Sequence, residues 1–170
     1  MNWICKTLLI CLSFNPVMDY TNNDEFIEDV RACVVHLNSM YPEEERVPID
    51  LVIAQAIHES TWGRSRFAVE GNNLLGIRTF DPADDQIKPM NKPNASWGLR
   101  IFETKCESIS YYIELLNNSH HYNKFREERL LQYINDIVDP ERLAKTLAIY
   151  AEDVYYTQKI IRTLRELNDN

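Results

Sequence analysis

The stretch AQAIHESTWGRSRFAVEGNNLLGIRTF, residues 54–80, is the most informative part of the chain. It begins as an apolar helix that runs to His58-Glu59-Ser60, and it ends in the loop sequence GNNLLG. A helix with an apolar body that finishes on a glutamate, beside a tryptophan and two adjacent asparagines, carries more polar chemistry than packing requires. The neighbouring segments decide whether that chemistry belongs to a site.

Length and composition favour one soluble globular domain. The chain has 170 residues, of which 45% are hydrophobic and 26% charged, and this is enough for a core. The net charge of −8 opposes binding to phosphate backbones, and no cluster of Lys and Arg offsets it. We therefore expect no nucleic-acid partner.

The N-terminal segment, residues 1–21, has two interpretations. A short apolar run at residues 7–14 follows Lys6, as in a weak signal peptide. The same residues also fit an N-terminal arm packed on the domain. The run is too short to span a bilayer, so we expect no transmembrane span. The domain itself is predicted at residues 22–170.

Cysteines and histidines give no sign of a metal or cofactor. The chain has no CxxC pair, and its four histidines lie in no ligand-like spacing. Cys33 and Cys106 fall within helical patterns and are interpreted as small buried thiols, although a bridge between them is compatible with the sequence. We expect neither a metal nor an organic cofactor.

Apolar periodicity predicts a mostly α domain with a small β insertion, an α+β fold. The helices are predicted at residues 24–40, 49–61, 104–116, 123–136, 140–150 and 153–167, with a short helical turn at 65–69. Asn22 or Asn23 is the expected cap of the first helix, and Asp153 that of the last. The period disappears between residues 77 and 102, which favours an irregular β-hairpin.

Glu59 is the first candidate for catalysis. It shares a helix face with Gln55, and if that face lines a cleft, burial raises the carboxyl pKa. A carboxylic acid protonated near neutral pH can donate a proton to a leaving oxygen. The alternative is an ordinary solvated glutamate at a helix end. Trp62 offers a stacking face for a sugar, and Asn72 and Asn73 offer amide groups suited to acetamido and hydroxyl partners.

Three segments together resemble the glucosaminidase domain of glycoside hydrolase family 73, and most of all its Bax-like proteins. The first, residues 54–78, resembles the family pattern of A-Q-A, E-S, Trp-Gly, S-x-x-A and G-N-N-L-F-G, with Leu75 in the phenylalanine position. The second, RIFETKCESISYYIELLNNSHHYNKFRE, resembles an aromatic, E-S, Y-x-x-x-L-N and Y-x-x-F-R series. The third, YAEDVYYTQKI, resembles Y-A-T-D-x-x-Y-x-x-K-I. They follow the family order and cover residues 47–167.

The resemblance implies a lysozyme-like fold, with a helical lobe and a small β-hairpin lobe across a cleft. It implies that Glu59 is the general acid and that Tyr150 is a cleft tyrosine that binds the acetamido group or positions water. Trp62, Asn72 and Asn73 fall on positions that line the cleft. For Tyr150 the alternative is a core aromatic residue.

The second catalytic carboxylate is not apparent. Many glycosidases need one to activate water or stabilise the transition state. Residues 95–98 read Ala-Ser-Trp-Gly where Bax-like proteins often carry His-Glu. Asp84, Asp85 and Glu103 are the remaining candidates, together with Asp81, and each is also explained as a solvated loop charge. Assistance by the substrate's 2-acetamido group is the other route.

The resemblance predicts a peptidoglycan hydrolase, an endo-β-N-acetylglucosaminidase whose partner is the glycan strand. A lytic transglycosylase and a non-catalytic glycan-binding module are the alternatives. Such a substrate predicts a periplasmic or envelope-facing location if residues 1–21 act as a signal. Otherwise the protein is expected to stay cytoplasmic until it is released, as in phage lysis.

Overall fold

The computed structural model describes residues 18–169, so the predictions for residues 1–21 fall largely outside the described residues. Seven α-helices and three short strands follow the chain in the order α1 Asn23–Asn38, α2 Ile49–Ser60, α3 Arg66–Gly71, β1 Arg78–Thr79, β2 Gln86–Ile87, β3 Gly98–Arg100, α4 Lys105–Asn118, α5 Asn123–Ile134, α6 Pro140–Thr146 and α7 Tyr156–Asn168. Two 3-10 turns lie at Glu43–Glu45 and His120–Tyr122. The predicted mostly α, α+β fold is confirmed.

Helix α2 is the central element of the helical lobe. Its side chains from Leu51 to Ala56 have no exposed surface, since α1, α6 and α7 pack around it. Burial of each large aliphatic side chain stabilises the folded state by about 1.5–3 kcal/mol. A helix buried on all sides is held rigidly, so a side chain at its end has a well-defined position.

Side-chain caps begin helices α1 and α4, and the predicted cap of α1 is one of them. The Asn22 side chain accepts a hydrogen bond from the Glu25 amide at 3.0 Å, which caps α1. Thr104 accepts from the Glu107 amide at 3.1 Å and starts α4. Each of these bonds satisfies an amide that the first helical turn leaves without a partner.

The β-lobe is a three-stranded sheet rather than a hairpin. Strand β3 lies in the centre and pairs antiparallel with β1 and with β2, with Leu99 opposite both Arg78 and Ile87. The strands are only two or three residues long, so the alternation that would reveal them in the sequence is too short to read. The sheet carries Arg78 to the edge of the helical lobe.

The C-terminal helices are shorter than predicted. Helix α6 ends at Thr146, not at Tyr150, and α7 starts at Tyr156 rather than after a cap at Asp153. The Asp153 side chain instead accepts from the Tyr155 amide within the connecting turn. Residues 147–155 therefore form a loop, and this loop brings Tyr150 beside α2.

The interpretation of Cys33 and Cys106 as free buried thiols is wrong. The two residues form a disulfide with Cα atoms 5.8 Å apart, and it joins α1 to α4. Both side chains are buried, at 0% and 1% exposure, in the helical core. A pairing between residues that are 73 positions apart depends on the fold, and spacing alone does not reveal it.

Within residues 18–169, every helix is too short or too polar to cross a membrane.

Candidate active site

Glu59 lies in the last turn of α2, where the chain turns sharply away. Thr61, Trp62 and Gly63 all have positive φ, from 53° to 70°. The Ser60 hydroxyl supports this turn because it donates to the Ala56 carbonyl at 2.5 Å and accepts from the Gly63 amide at 2.7 Å. The turn ends α2 at Ser60, so Glu59 is the next-to-last residue of the helix.

The Glu59 carboxyl group is largely removed from water. Burial raises the pKa of Glu59 from its usual 4.5 to about 7. A hydrogen bond from Tyr156 and the positive charge of Arg78 both lower this pKa, but they do not offset burial. About half of the Glu59 carboxyl groups are therefore protonated at neutral pH, as a general acid requires.

Tyr156 connects Glu59 to a buried hydrogen-bond chain. The Gln55 amide donates to the Tyr156 hydroxyl at 2.7 Å, and the Tyr112 hydroxyl donates to the Gln55 carbonyl oxygen. A phenol has one proton, so Tyr156 donates its own to Glu59. Gln55 and Tyr112 have no exposed surface. This series of hydrogen bonds orients the Tyr156 hydroxyl, so that Tyr156 is the donor and Glu59 the acceptor.

Tyr150 lies in the same region, as the resemblance implied. Its hydroxyl donates to the Leu75 carbonyl at 2.5 Å, and its ring stacks on Tyr156 with centroids 5.9 Å apart. Burial also raises the Tyr150 pKa well above its usual value, so the phenol stays neutral. Because this hydroxyl already donates its proton to the Leu75 carbonyl, it can only accept a further hydrogen bond.

Gly76 allows the β-lobe backbone to approach the acid. It has a φ of +64°, and a Cβ atom there would lie 2.6 Å from Glu59 Oε2. Any other L-residue would both strain the backbone and press on the carboxyl group. The close approach of Glu59 therefore requires a glycine at position 76, the last residue of the GNNLLG loop.

Glu59, Gly76 and Tyr150 line a pocket of about 220 Å³ between the lobes, which we call the Glu59 pocket. Its wall includes Glu59, Arg78, Tyr111, Tyr122, Tyr150 and Glu152. The sequence prediction named only Glu59 and Tyr150 from this set. For Glu152 the available signal was its place beside Tyr150 and Ala151 in the third motif, whereas nothing local in the sequence singles out Arg78.

Trp62 does not lie in the Glu59 pocket. Its ring packs edge-on against Phe26 with centroids 6.0 Å apart, and it lines a separate pocket of about 740 Å³ together with His58 and α7. The structure therefore does not bring Trp62 together with Glu59 in one pocket. The left-handed turn at residues 61–63 directs Trp62 away from the acid.

Asn72 and Asn73 hold the loop instead of facing a substrate. The Asn72 amide donates to the Phe102 and Glu103 carbonyls, both at 3.0 Å. Asn73 is 1% exposed; its amide donates to the Ile77 and Arg100 carbonyls, and its oxygen accepts from the Ile77 amide. Neither lines the Glu59 pocket, and both use their side-chain amides to hold the loop.

The four candidates for a second carboxylate also lie outside the Glu59 pocket. The Asp81 side chain accepts from the Ala83 amide at 2.9 Å within its own loop. Asp84 accepts from the Thr79 hydroxyl at 2.5 Å and pairs with Arg100, which braces the sheet. Asp85 is exposed, and its carbonyl pairs with the Ile101 amide. Glu103 is exposed at the start of α4. Their positions are explained by loop and sheet geometry.

In the described part of the chain, His, Cys, Asp and Glu form no group of three or more that could hold a metal ion.

Comparison with known proteins places this arrangement in a family. The family model for glucosaminidase, described as mannosyl-glycoprotein endo-beta-N-acetylglucosaminidase, matches residues 38–169. Protein bax from Escherichia coli (strain K12) is 30% identical over 92 residues, 54% of this chain and 32% of that protein. The exo-glucosaminidase LytG from Bacillus subtilis (strain 168) is 27% identical over 131 residues, 74% of this chain and 45% of LytG. The chain thus matches less than half the length of either relative.

Solved structures show the same fold. The catalytic domain of the autolysin Auto from Listeria monocytogenes superposes with a TM-score of 0.63 at 20% identity, over 88% of this chain and 86% of that one. A glycoside hydrolase domain of FlgJ from Salmonella typhimurium superposes with a TM-score of 0.60 at 17% identity, over 88% and 99%. With the family match over residues 38–169, this chain belongs to the glucosaminidase family, glycoside hydrolase family 73, and is a Bax-like member of it.

Proposed function

We propose that this protein is a peptidoglycan hydrolase, an endo-β-N-acetylglucosaminidase that uses Glu59 as its general acid. The observation that carries the proposal is the Glu59 carboxyl group, whose pKa is raised to about 7 at the edge of an interlobe pocket. Family membership supports glycoside hydrolysis, and the acid supplies the chemistry that this reaction needs.

In the proposed reaction, Glu59 donates its proton to the glycosidic oxygen as the bond to the anomeric carbon breaks. Water adds to that carbon, and the ring passes through a state with oxocarbenium character. The Tyr150 hydroxyl oxygen accepts a hydrogen bond from the acetamido N–H. The same hydroxyl continues to donate its own hydrogen bond to the Leu75 carbonyl. Tyr156 stabilises the Glu59 carboxylate that remains.

The extent of the groove supports endo cleavage. Tyr111 lines the Glu59 pocket and also a second pocket of about 280 Å³, which Arg100, Phe102 and Glu114 complete. We propose that the glycan continues from the Glu59 pocket past Tyr111 into this second pocket. The name of the relative LytG specifies an exo enzyme, so the mode of cleavage is part of the proposal.

The disulfide supports a location outside the reducing cytoplasm. Structural disulfides form and persist mainly in oxidising compartments such as the periplasm and the cell surface. The Cys33–Cys106 bridge lies in the buried core between α1 and α4. We propose that the protein acts in the cell envelope, where its proposed substrate is found.

Digestion of purified peptidoglycan tests the function. Wild type, Glu59→Gln and Glu141→Gln are compared, with products reduced by borohydride and identified by mass spectrometry. Glu141 pairs with Arg165 between α6 and α7, outside the Glu59 pocket, and serves as the control. We expect reduced N-acetylglucosamine ends from wild type and from the control, and about 10²- to 10⁴-fold less product from Glu59→Gln.

The products also distinguish the alternatives. Anhydromuramic ends would identify a lytic transglycosylase, and retention of the glycan without any product would identify a binding module. Rapid loss of strand length before small products accumulate supports endo cleavage. Release of single sugars from the strand ends from the earliest times would overturn the endo mode and leave an exo-glucosaminidase.

A further inference from the structure

The Glu59 pocket contains one more carboxylate that the family pattern does not have. Among residues 18–169, Glu59 and Glu152 are the only acidic residues that line it. Glu152 is part of YAEDVYY, where the pattern Y-A-T-D has a threonine. The β-lobe segment at residues 95–98, Ala-Ser-Trp-Gly, which resembles a segment where Bax-like proteins often have His-Glu, carries no carboxylate here. This chain therefore has an acidic residue in the pocket from a different loop.

Arg78 fixes Glu152 within the pocket. Its guanidinium pairs with Glu152 Oε1 at 2.8 Å. The same guanidinium lies over the Trp97 ring, 4.2 Å from its centroid, so the arginine is held by the β-lobe. Arg78 lines the Glu59 pocket together with both carboxylates, and its charge lowers the Glu59 pKa. The Glu152 side chain is 81% exposed, so water reaches it freely.

We propose that Glu152 is the general base of this enzyme, which activates the attacking water while Glu59 protonates the leaving group. This inference rests on the proposed glucosaminidase function. Glu152 accepts a proton from water as the water oxygen bonds to the anomeric carbon. At the same time the bond from that carbon to the glycosidic oxygen breaks, and the Glu59 proton moves to this oxygen. Solvent then returns both carboxyl groups to their starting states.

The electrostatic environments of the two residues suit these two roles. Burial raises the pKa of Glu59, whereas the hydrogen bond and charge of Arg78 lower the pKa of Glu152. Near neutral pH, one group is available as an acid while the other is ionised. Environments that separate two carboxyl pKa values in one cleft are typical of an acid and base pair.

The stereochemistry of the product follows from this assignment. A base that activates water directly gives a single displacement, and the new hydroxyl arrives on the face opposite the leaving oxygen. The β-linked strand then yields the α-anomer. Assistance by the acetamido group would instead retain the β configuration through a bicyclic intermediate.

The test compares wild type, Glu152→Gln, Glu152→Thr, Glu152→Ala and the control Glu141→Gln on solubilised peptidoglycan strands. We expect about 10²- to 10⁴-fold lower kcat for the three Glu152 variants, with KM changed much less, and no change for Glu141→Gln. Threonine restores the family residue, so it tests whether a base is needed at this position. Thermal melts establish that each variant is folded.

Azide separates a base from a positioning residue, because the anion attacks without losing a proton. With Glu152→Ala, added azide is expected to restore turnover and give an N-acetylglucosaminyl azide of inverted configuration, and NMR of the wild-type product should show the α-anomer first. Full activity of Glu152→Gln, an initial β-anomer, or absence of azide rescue in a folded, impaired variant would each overturn the assignment. An inactive wild type would instead overturn the proposed function.

Discussion

At the scale of single residues, the raised pKa that suits Glu59 to its proposed role as a general acid also lowers the stability of the fold. The folded pKa of Glu59, about 7, lies above the ordinary 4.5, so folding disfavours its ionised form. Protonated Glu59 costs nothing extra below about pH 4.5. As the pH rises from about 4.5 to about 7, the unfolded chain loses this proton while the folded protein keeps it, so stability is lost across this interval and is level above it.

Glu59→Gln should therefore stabilise the protein in alkaline buffer. The difference of roughly 2.5 pKa units corresponds to about 3 kcal/mol above pH 7 and to none below about pH 4.5. Urea unfolding of wild type and Glu59→Gln at pH 4 and pH 8 measures this. Equal stabilities at both pH values would contradict the raised pKa.

Burial raises the pKa of Glu59, and the hydrogen bond from Tyr156 lowers it in part. This hydrogen bond stabilises the Glu59 carboxylate, so Tyr156→Phe should raise the Glu59 pKa further. A hydrogen bond to a charged group contributes about 1.5–3 kcal/mol, which moves the alkaline limb of kcat/KM upward by roughly one to two pH units. The pH profile of the variant measures this shift.

Tyr155→Phe is the matched control for this profile. Tyr155 is the neighbouring residue, is 66% exposed and does not line the Glu59 pocket. Its profile should match that of wild type. A Tyr156→Phe profile with an unchanged alkaline limb would show that another group sets the Glu59 pKa.

At the scale of elements, the loop between α3 and β1 shows what Asn73 does. Its side chain makes three hydrogen bonds, at 2.8–2.9 Å, to Ile77 and Arg100, and these bonds join the loop to the sheet. Sequence analysis predicted a contact with substrate because amide groups suit acetamido groups. The same amide groups suit exposed backbone atoms equally well, and the sequence does not show which partner is nearer.

Asn73→Ala should destabilise the protein instead of weakening substrate binding. Leaving buried backbone groups without partners costs about 1–3 kcal/mol each, so a loss of roughly 3 kcal/mol is expected. Asn94→Ala, in the exposed β-lobe loop, is the control and should change stability by less than about 0.5 kcal/mol. Urea unfolding and KM are measured together. A raised KM with unchanged stability would restore the binding role.

The elements also show where sequence reasoning succeeds. Helices α1, α2, α4 and α5 repeat their apolar pattern over three or four turns, and all four were predicted within a few residues. Strands of two or three residues and the loop at residues 147–155 give no such period. Tyr150 was found through its motif, whereas Arg78 was missed because its relation to Glu59 exists only once the β-lobe folds onto α2.

At the scale of the whole molecule, three motifs separated by tens of residues converge on one pocket. Glu59 comes from the first motif, Tyr111 from the second and Tyr150 from the third. The family resemblance predicted this convergence for Glu59 and Tyr150. It also implied a place in the cleft for Trp62, which lies after the turn at residues 61–63 and lines the separate pocket beside His58 and α7. Motif order thus predicts which segments meet, but backbone direction decides which side chains face the site.

The Cys33–Cys106 bridge acts on the molecule as a whole, because it closes a loop that contains α2, α3 and the entire β-lobe. Restricting a loop of this length in the unfolded chain stabilises the fold by about 4 kcal/mol in the chain-entropy model. For a domain of this size, reduction should lower Tm by roughly 10 °C.

Thermal melts with and without a reductant measure the contribution of the bridge, and the double variant Cys33→Ala/Cys106→Ala is the control. Its Tm should be close to that of reduced wild type and should not respond to reductant. A response that persists in the double variant would belong to Cys5 and Cys11, the remaining cysteines. A wild-type Tm unaffected by complete reduction would show that packing between α1 and α4 holds the two ends of this loop together without the covalent bond.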